Sequence, residues 1–178
     1  MIEIRPLEAG DAAALLEIRS RTRAFLEPWE PARAPGFYTE ASQRQAIEAA
    51  LRERDAGRLL PFAILEDGAV AGAVNLSGIV RGVFDNAYLG YWVDQARGGR
   101  GVATEAVRQA VAHAFGPAGL HRVQAAVIPR NGASIRVLEK AGFREEGLAL
   151  RYLRIAGVWE DHLLFALTAE ELRERLEP

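Results

Sequence analysis

An aromatic-rich apolar run at residues 87–93 passes through Arg97-Gly98-Gly99-Arg100-Gly101 directly into a helical pattern whose apolar face is Ala103, Val107, Ala110, Val111 and Ala114. Side chains recur every second residue in a strand and every third or fourth in a helix, so this stretch reads as strand, tight turn and helix. Glycine permits positive φ and close approach of the main chain, which a Cβ forbids. A helix N-terminus adds unpaired N–H groups and about half a positive charge, so a turn of this kind suits phosphate oxygens. Equally, it can be a plain connection whose arginines sit in water.

Two nucleotide-binding patterns fail against the letters. A P-loop needs Lys and then Ser or Thr after its last glycine, whereas Val102 and Ala103 follow Gly101. In a dinucleotide fingerprint that starts at Gly99 and Gly101, Thr104 stands where the third glycine belongs. Diphosphate binding survives, while phosphoryl and hydride transfer lose support.

The remaining elements surround this unit. Ile2 and Ile4 alternate with polar residues, and Pro6 closes a short first strand. Asp11 opens a helix carrying Leu15, Leu16, Ile18, Phe25 and Leu26, which Pro28 stops; residues 29–36, with Pro31 and Pro35, form a loop. A second helix spans 39–54, with Ser42 and Gln45 at capping-box spacing. Residues 59–65 and 70–79 flank the Asp67-Gly68 turn of a hairpin. After the central unit come a strand at 121–128, a helix at 132–141 and a closing hairpin of 148–155 and 158–167 through Ala156-Gly157. Thr168 and Glu171 pair to open the last helix. Hairpins followed by alternating helices and strands give a mixed sheet covered by helices, an α/β or α+β class.

Composition narrows the function. The 178 residues suit a single domain spanning 1–178, and 49% hydrophobic with 26% charged residues suits a globular chain. Lys and Arg total 22 against 24 Asp and Glu, a net charge of −2 without the electrostatic footprint of sequence-independent nucleic-acid binding. With no cysteine, disulfides, thiolate zinc sites and cysteinyl intermediates are excluded. The histidines at 113, 121 and 162 give no local ligand pair, so no metal is expected. Neither a signal peptide nor an apolar run of about 18 residues is present, which makes a cytoplasmic protein without membrane contact the expectation.

A second constellation begins thirty residues after the glycine turn, in Asn131-Gly132-Ala133-Ser134 and onward to Lys140-Ala141-Gly142-Phe143. Structurally, Asn131 caps a helix, Ile135 and Leu138 face the core, Gly142 takes the left-handed C′ position and Phe143 packs back.

The two segments together resemble the GNAT superfamily of acyl-CoA-dependent N-acetyltransferases, with a Q/R-x-x-G-x-G/A turn followed later by N-x-x-S and a Lys-x-Gly-Phe ending. The turn here is Gly98-Gly99-Arg100-Gly101-Val102-Ala103, with glycine where the family has Gln or Arg and Arg97 beside it as a substitute side chain. The stretches 23–31, 89–93 and Trp159-Glu160-Asp161-His162 are similar to the ribosomal-protein-alanine N-acetyltransferases of the RimJ and RimL type. The resemblance implies a mixed, mostly antiparallel splayed sheet, acetyl-CoA as co-substrate without a metal, and an amine acceptor, foremost the N-terminal amino group of a protein. A homodimer is compatible with it.

It also implies roles. Trp92, Val93 and Asp94 would pair with the pantetheine arm, and the Val93 N–H is a candidate oxyanion donor. Arg97, Gly98, Gly99, Arg100, Gly101, Val102 and Ala103 would hold the diphosphate. Ser134 would protonate the leaving thiolate, with a locally bonded helix hydroxyl as the alternative, and Asn131 would orient the cofactor region. For the base, Glu160, Asp161 and His162 stay open; strand alternation sends Asp161 to the face opposite the other two. Trp29, Tyr91, Trp159 and Asp161 are the expected acceptor contacts, with Phe25, Phe37 and Tyr38 as further aromatic walls, although such aromatics are commonly core. A small-molecule amine acetyltransferase and a non-catalytic acyl-CoA-binding module are the competing readings.

Overall fold

The first strand, β1 (Ile2–Pro6), lies antiparallel to β2 (Leu59–Glu66). Its free edge is closed by one side chain: Gln109 accepts from the Ile4 N–H at 3.0 Å and donates to the Ile2 carbonyl at 3.0 Å. An edge strand left bare would template pairing with another chain. This computed structural model describes residues 1–176.

β2 turns through Asp67 and Gly68 into β3 (Ala69–Val80); their φ angles of 52° and 79° are the positive pair a two-residue hairpin demands. β3 pairs antiparallel with β4 (Asn86–Val93), which runs parallel to β5 (Arg122–Val127) for only three pairs, from Asn86 with Arg122 to Tyr88 with Gln124. Beyond them the two strands part. β5 continues against β7 (Val158–Thr168), and β6 (Arg144–Ile155) forms the far edge. The seven-stranded order is β1-β2-β3-β4-β5-β7-β6, mixed but mostly antiparallel, as the sequence implies.

Helices cover both faces. α1 (Ala12–Arg21) and α3 (Glu40–Asp55) press Leu15 and Ile47 onto Ala63 and Leu65 of β2. α4 (Val102–Phe115) and α5 (Gly132–Ala141) press Val107, Val111 and Leu138 into the core that contains Ile64, Leu76 and Val123. β2 is thus buried on both sides, which is why residues 62–65 read as one continuous apolar run. Each such large side chain contributes roughly 1.5–3 kcal/mol on burial. A short α2 (Arg23–Leu26) follows α1, and α6 (Ala169–Leu176) ends the described chain. Among the described residues no helix is long and apolar enough to cross a membrane.

Three boundaries differ from the sequence reading. The first helix breaks at Thr22, which is buried and sends both its N–H (2.9 Å) and its hydroxyl (2.7 Å) back to the Ile18 carbonyl. Such back-bonding competes with the regular helical ladder. The cap of α3 is Thr39, whose hydroxyl accepts from the Ser42 N–H at 3.2 Å; Ser42 and Gln45 lie inside the helix. β6 starts at Arg144 rather than 148, because it follows the left-handed Gly142 after a single residue.

Candidate functional site

The parting of β4 from β5 leaves main-chain groups facing a cleft. The Asp94 N–H donates to the Ala71 carbonyl at 2.8 Å, and antiparallel strands alternate the direction of their bonds, so Trp92 also turns its amide toward β3. Tyr91 and Val93 therefore turn theirs to the opposite edge, where β5 is gone. Of the three residues expected to offer main chain to the cleft, Val93 turns its amide that way, the Trp92 and Asp94 amides face β3, and Tyr91 also turns its amide to the cleft.

β4 leads through a single 3-10 turn, Gln95–Arg97, into the glycines. Asp94 caps that turn, its carboxylate accepting from the Ala96 N–H at 3.2 Å and from Arg21 at 2.5 Å, with Arg97 at 3.8 Å. Hydrogen bonding to Arg21 holds this buried carboxyl below the usual carboxylate range, against the opposing effect of burial. Gly99 and Gly101 have φ of 73° and 83°, and a Cβ at either would meet nothing within 4 Å. The cost of a side chain there is backbone strain and the loss of open space. Gly101 is the N-cap of α4 and offers no side chain, so the first N–H groups of a fourteen-residue helix have no side-chain cap.

On the other wall, Asn131 accepts from the Ser134 N–H at 3.1 Å and so fixes Ser134 in the first turn of α5. The far end closes in a Schellman arrangement: Gly142 (φ 99°) donates to Glu139 and Phe143 donates to Leu138, both at 3.0 Å. The Ser134 hydroxyl lies 2.7 Å from the Tyr91 hydroxyl. Burial pushes the Tyr91 phenol up to about 12, although its bond to Ser134 acts the other way.

This pair lines two cavities. The first, about 290 Å³, runs from Trp29 and Tyr91 past Val93 and Val137 to the glycine turn and the start of α4. The second, about 210 Å³, extends from Tyr91 and Ser134 between β4 and β5 toward Glu30, Leu89, Val127 and His162. Leu26, Trp29, Tyr91, Trp92, Asn131 and Ser134 line both.

Most of the expected site residues are thereby brought together: Ser134, Asn131, Trp92, Val93, Asp94, Arg97, Gly98, Gly99, Gly101, Val102, Ala103, Trp29 and Tyr91 all line the first cavity. Three are not. Arg100 turns away to Glu66 at 2.9 Å, which also binds Arg97 at 2.6 Å. Trp159 is 60% exposed and lines neither cavity. Asp161 lies on the other face of β7, accepting from the Arg151 N–H at 2.8 Å, where Arg151 holds a φ of 48°. The sequence reading also missed Glu30, which follows a 3-10 turn, and the β5 wall, which alternation marks as strand but not as lining. Phe25 does line the first cavity, whereas Phe37 and Tyr38 stack on Arg19, Arg33 and Arg23 and line neither. Among the described residues, no three His, Asp or Glu side chains are grouped to hold a metal ion.

Residues 2–144 match the family model described as acetyltransferase (GNAT) domain. The chain is 42% identical over 168 residues to the "Probable N-acetyltransferase YjcK" of Bacillus subtilis, covering 93% of each. It is 32% identical over 170 residues to the [ribosomal protein uS5]-alanine N-acetyltransferase of Escherichia coli, covering 94% of this chain and 88% of that one. Mycobacterium smegmatis RimJ, solved in complex with CoA-disulfide, superposes with a TM-score of 0.93 at 41% identity, over 96% of this chain and 83% of that one.

Proposed function

The chain belongs to the acetyltransferase (GNAT) domain family and is an acetyl-CoA-dependent N-acetyltransferase, and we propose that the amine it acetylates is the N-terminal amino group of a ribosomal protein. The observation that carries this reading is that Tyr91 and Ser134 line two cavities at once, which suits a donor and an acceptor approaching the same pair of hydroxyls from different sides. The E. coli relative is named for acetylating an alanine of ribosomal protein uS5. A cytoplasmic setting is part of the proposal, since that is where ribosomal proteins are made.

The residues present fit a nucleotide thioester. The open space at Gly99 and Gly101 and the uncapped start of α4 suit a diphosphate, and the outward-facing amides of Tyr91 and Val93 suit the amide-bearing arm. Acetyl-CoA supplies an already activated acyl group, so holding a neutral amine about 3–3.5 Å from its carbonyl carbon provides much of the acceleration. In this reading the Val93 N–H donates to the carbonyl oxygen as charge gathers there. The Ser134 hydroxyl gives its proton to the departing sulfur, and Tyr91, kept protonated by burial, holds that hydroxyl in place. Trp29, which lines both cavities, borders the acceptor.

The test is to incubate the protein with acetyl-CoA and follow free thiol. Peptides beginning with alanine are compared with the same peptides blocked at the N-terminus, and with spermidine and an aminoglycoside. Thiol release that requires the free peptide amine is expected. Release with the small amines alone overturns the protein acceptor, and binding of acetyl-CoA with transfer to none of them overturns catalysis.

A further inference from the structure

We propose that His162 is the base that takes the proton from the acceptor ammonium; the inference rests on the acetyltransferase reading above and assigns a role that reading leaves open. At neutral pH an N-terminal amine, with a pKa of about 8, is mostly protonated and has no free electron pair. Something at the acceptor end must remove that proton before nitrogen can attack.

Three neighbours on β7 carry suitable groups, and two are engaged elsewhere. Asp161 is on the face away from the cleft, bonded to the Arg151 N–H. The Glu160 carboxylate is held by Arg130 at 2.9 Å, and that arginine also lies over the Trp29 ring at 5.5 Å. His162 is buried, 3% exposed, and lines the second cavity together with Tyr91 and Ser134.

The tautomer of His162 follows from its partner. Nδ1 lies 2.9 Å from the Glu160 carbonyl oxygen, and a carbonyl only accepts, so Nδ1 carries the hydrogen. In the neutral ring Nε2 then holds the lone pair, and among the described residues it has no hydrogen-bond partner. Tyr152 of β6 packs its ring 5.7 Å from the imidazole at 59°, which fixes the ring plane. Imidazole is the side chain suited to exchange protons between about pH 5 and 8.

The charged and titratable groups around it are few. On its own strand stands Glu160, paired with Arg130; from β6 comes Tyr152; across the cavity are Tyr91 and Glu30, the latter held by Arg19 at 3.0 Å and by Arg33 at 3.0 Å. The β5 wall contributes Ala125 and Val127. Among the described residues around His162, no unpaired carboxylate competes for the ammonium proton.

The step balances without a further reactant. Nε2 takes one proton from the ammonium, and the freed electron pair forms the C–N bond to the acetyl carbon. As the C–S bond breaks, sulfur keeps its electrons and takes the Ser134 proton, and the serine oxygen regains one from the newly bonded nitrogen. The imidazolium returns its proton to solvent.

The experiment compares wild type with His162→Asn, which keeps a donor near the Nδ1 position, in kcat/KM for an alanine-starting peptide as pH is varied. At neutral pH the variant is expected to be about 10²-fold slower. The gap is expected to close as pH rises past the amine's own pKa of about 8, where the acceptor needs no base. An equal loss at every pH, or no loss, overturns the assignment. If the variant does not fold, wild type is measured with two peptides whose amines differ in pKa: an acid limb that stays put supports His162, and one that moves with the amine overturns it. Absence of transfer by wild type to any amine overturns the acetyltransferase reading itself, and this inference with it.

Discussion

The Tyr91 and Ser134 hydroxyls stand 2.7 Å apart across the cleft, one on the last paired stretch of β4 and the other in the first turn of α5. The helix cap that orders Ser134, Asn131, and the strand that carries Tyr91 are separate elements, so the contact exists only in the assembled fold. In the proposed mechanism the serine hydroxyl is the proton source for the leaving sulfur, and its removal leaves the glycine turn intact. Ser134→Ala is expected to lower kcat by roughly 10²-fold with the KM for acetyl-CoA little changed, as read by thiol release. Tyr91→Phe, which removes the phenol's bonds to the Ser134 hydroxyl and carbonyl but keeps the serine, is expected to fall by less.

The same tyrosine gives a pH signature. Its folded pKa is raised from 10.0 to about 12 by burial, so the stability tied to the neutral phenol is complete below pH 10 and is lost as pH rises through about 12. At about 1.4 kcal/mol per unit the loss is on the order of 2–3 kcal/mol. Urea midpoints across that window are expected to fall more steeply for wild type than for Tyr91→Phe.

Gly72 is a constraint that no sequence pattern announces. A Cβ there would stand 2.2 Å from the Trp92 carbonyl oxygen and 2.9 Å from the Val93 Cα, so β3 and β4 would have to separate. Gly72→Ala is expected to destabilise by about 1–3 kcal/mol or more and, by shifting Val93, to raise the KM for acetyl-CoA. Thermal unfolding and steady-state kinetics measure the two effects separately.

Asp94 titrates in the opposite sense. Arg21 lowers its folded pKa below 3.8, so the stabilisation is present above pH 3.8 and is lost as pH falls through the folded value. Arg21 is 43% exposed, which solvent screening discounts, so Asp94→Asn is expected to cost about 1–2 kcal/mol at neutral pH. In acid unfolding the gap from wild type should narrow below pH 3.8.

Asp161→Ala tests whether the outer face of β7 takes part in acceptor binding. The carboxylate supports the positive φ of Arg151 on the outer face, so its loss is expected to cost about 1 kcal/mol of stability with kcat and both KM values unchanged. Trp159→Ala, at a position lining neither cavity, should likewise leave the kinetics alone.

Much of this architecture could be read from local letters. The span of α5, its Asn131 cap and its Gly142 stop depend on neighbours within a turn, and the structure agrees residue for residue. The Asp67-Gly68 hairpin and the Thr168–Glu171 cap are equally local. What the letters could not carry was set by partners far along the chain. Alternation on β7 separates Asp161 from His162, but only the packed sheet decides which face meets the cleft. Glu66 draws Arg97 and Arg100 together from thirty residues away, and the collision at Gly72 follows from the register of β3 on β4.

Three rungs are the whole of the strand ladder between the β1–β4 half of the sheet and the β5–β7 half. In most sheets the ladder runs out at an outer margin, where water takes over the last amides; here it runs out in the middle of the molecule. A guest bearing peptide-like amides would therefore slot in as a temporary eighth strand, and whatever grip it gained on the protein would equally clamp the two halves to each other.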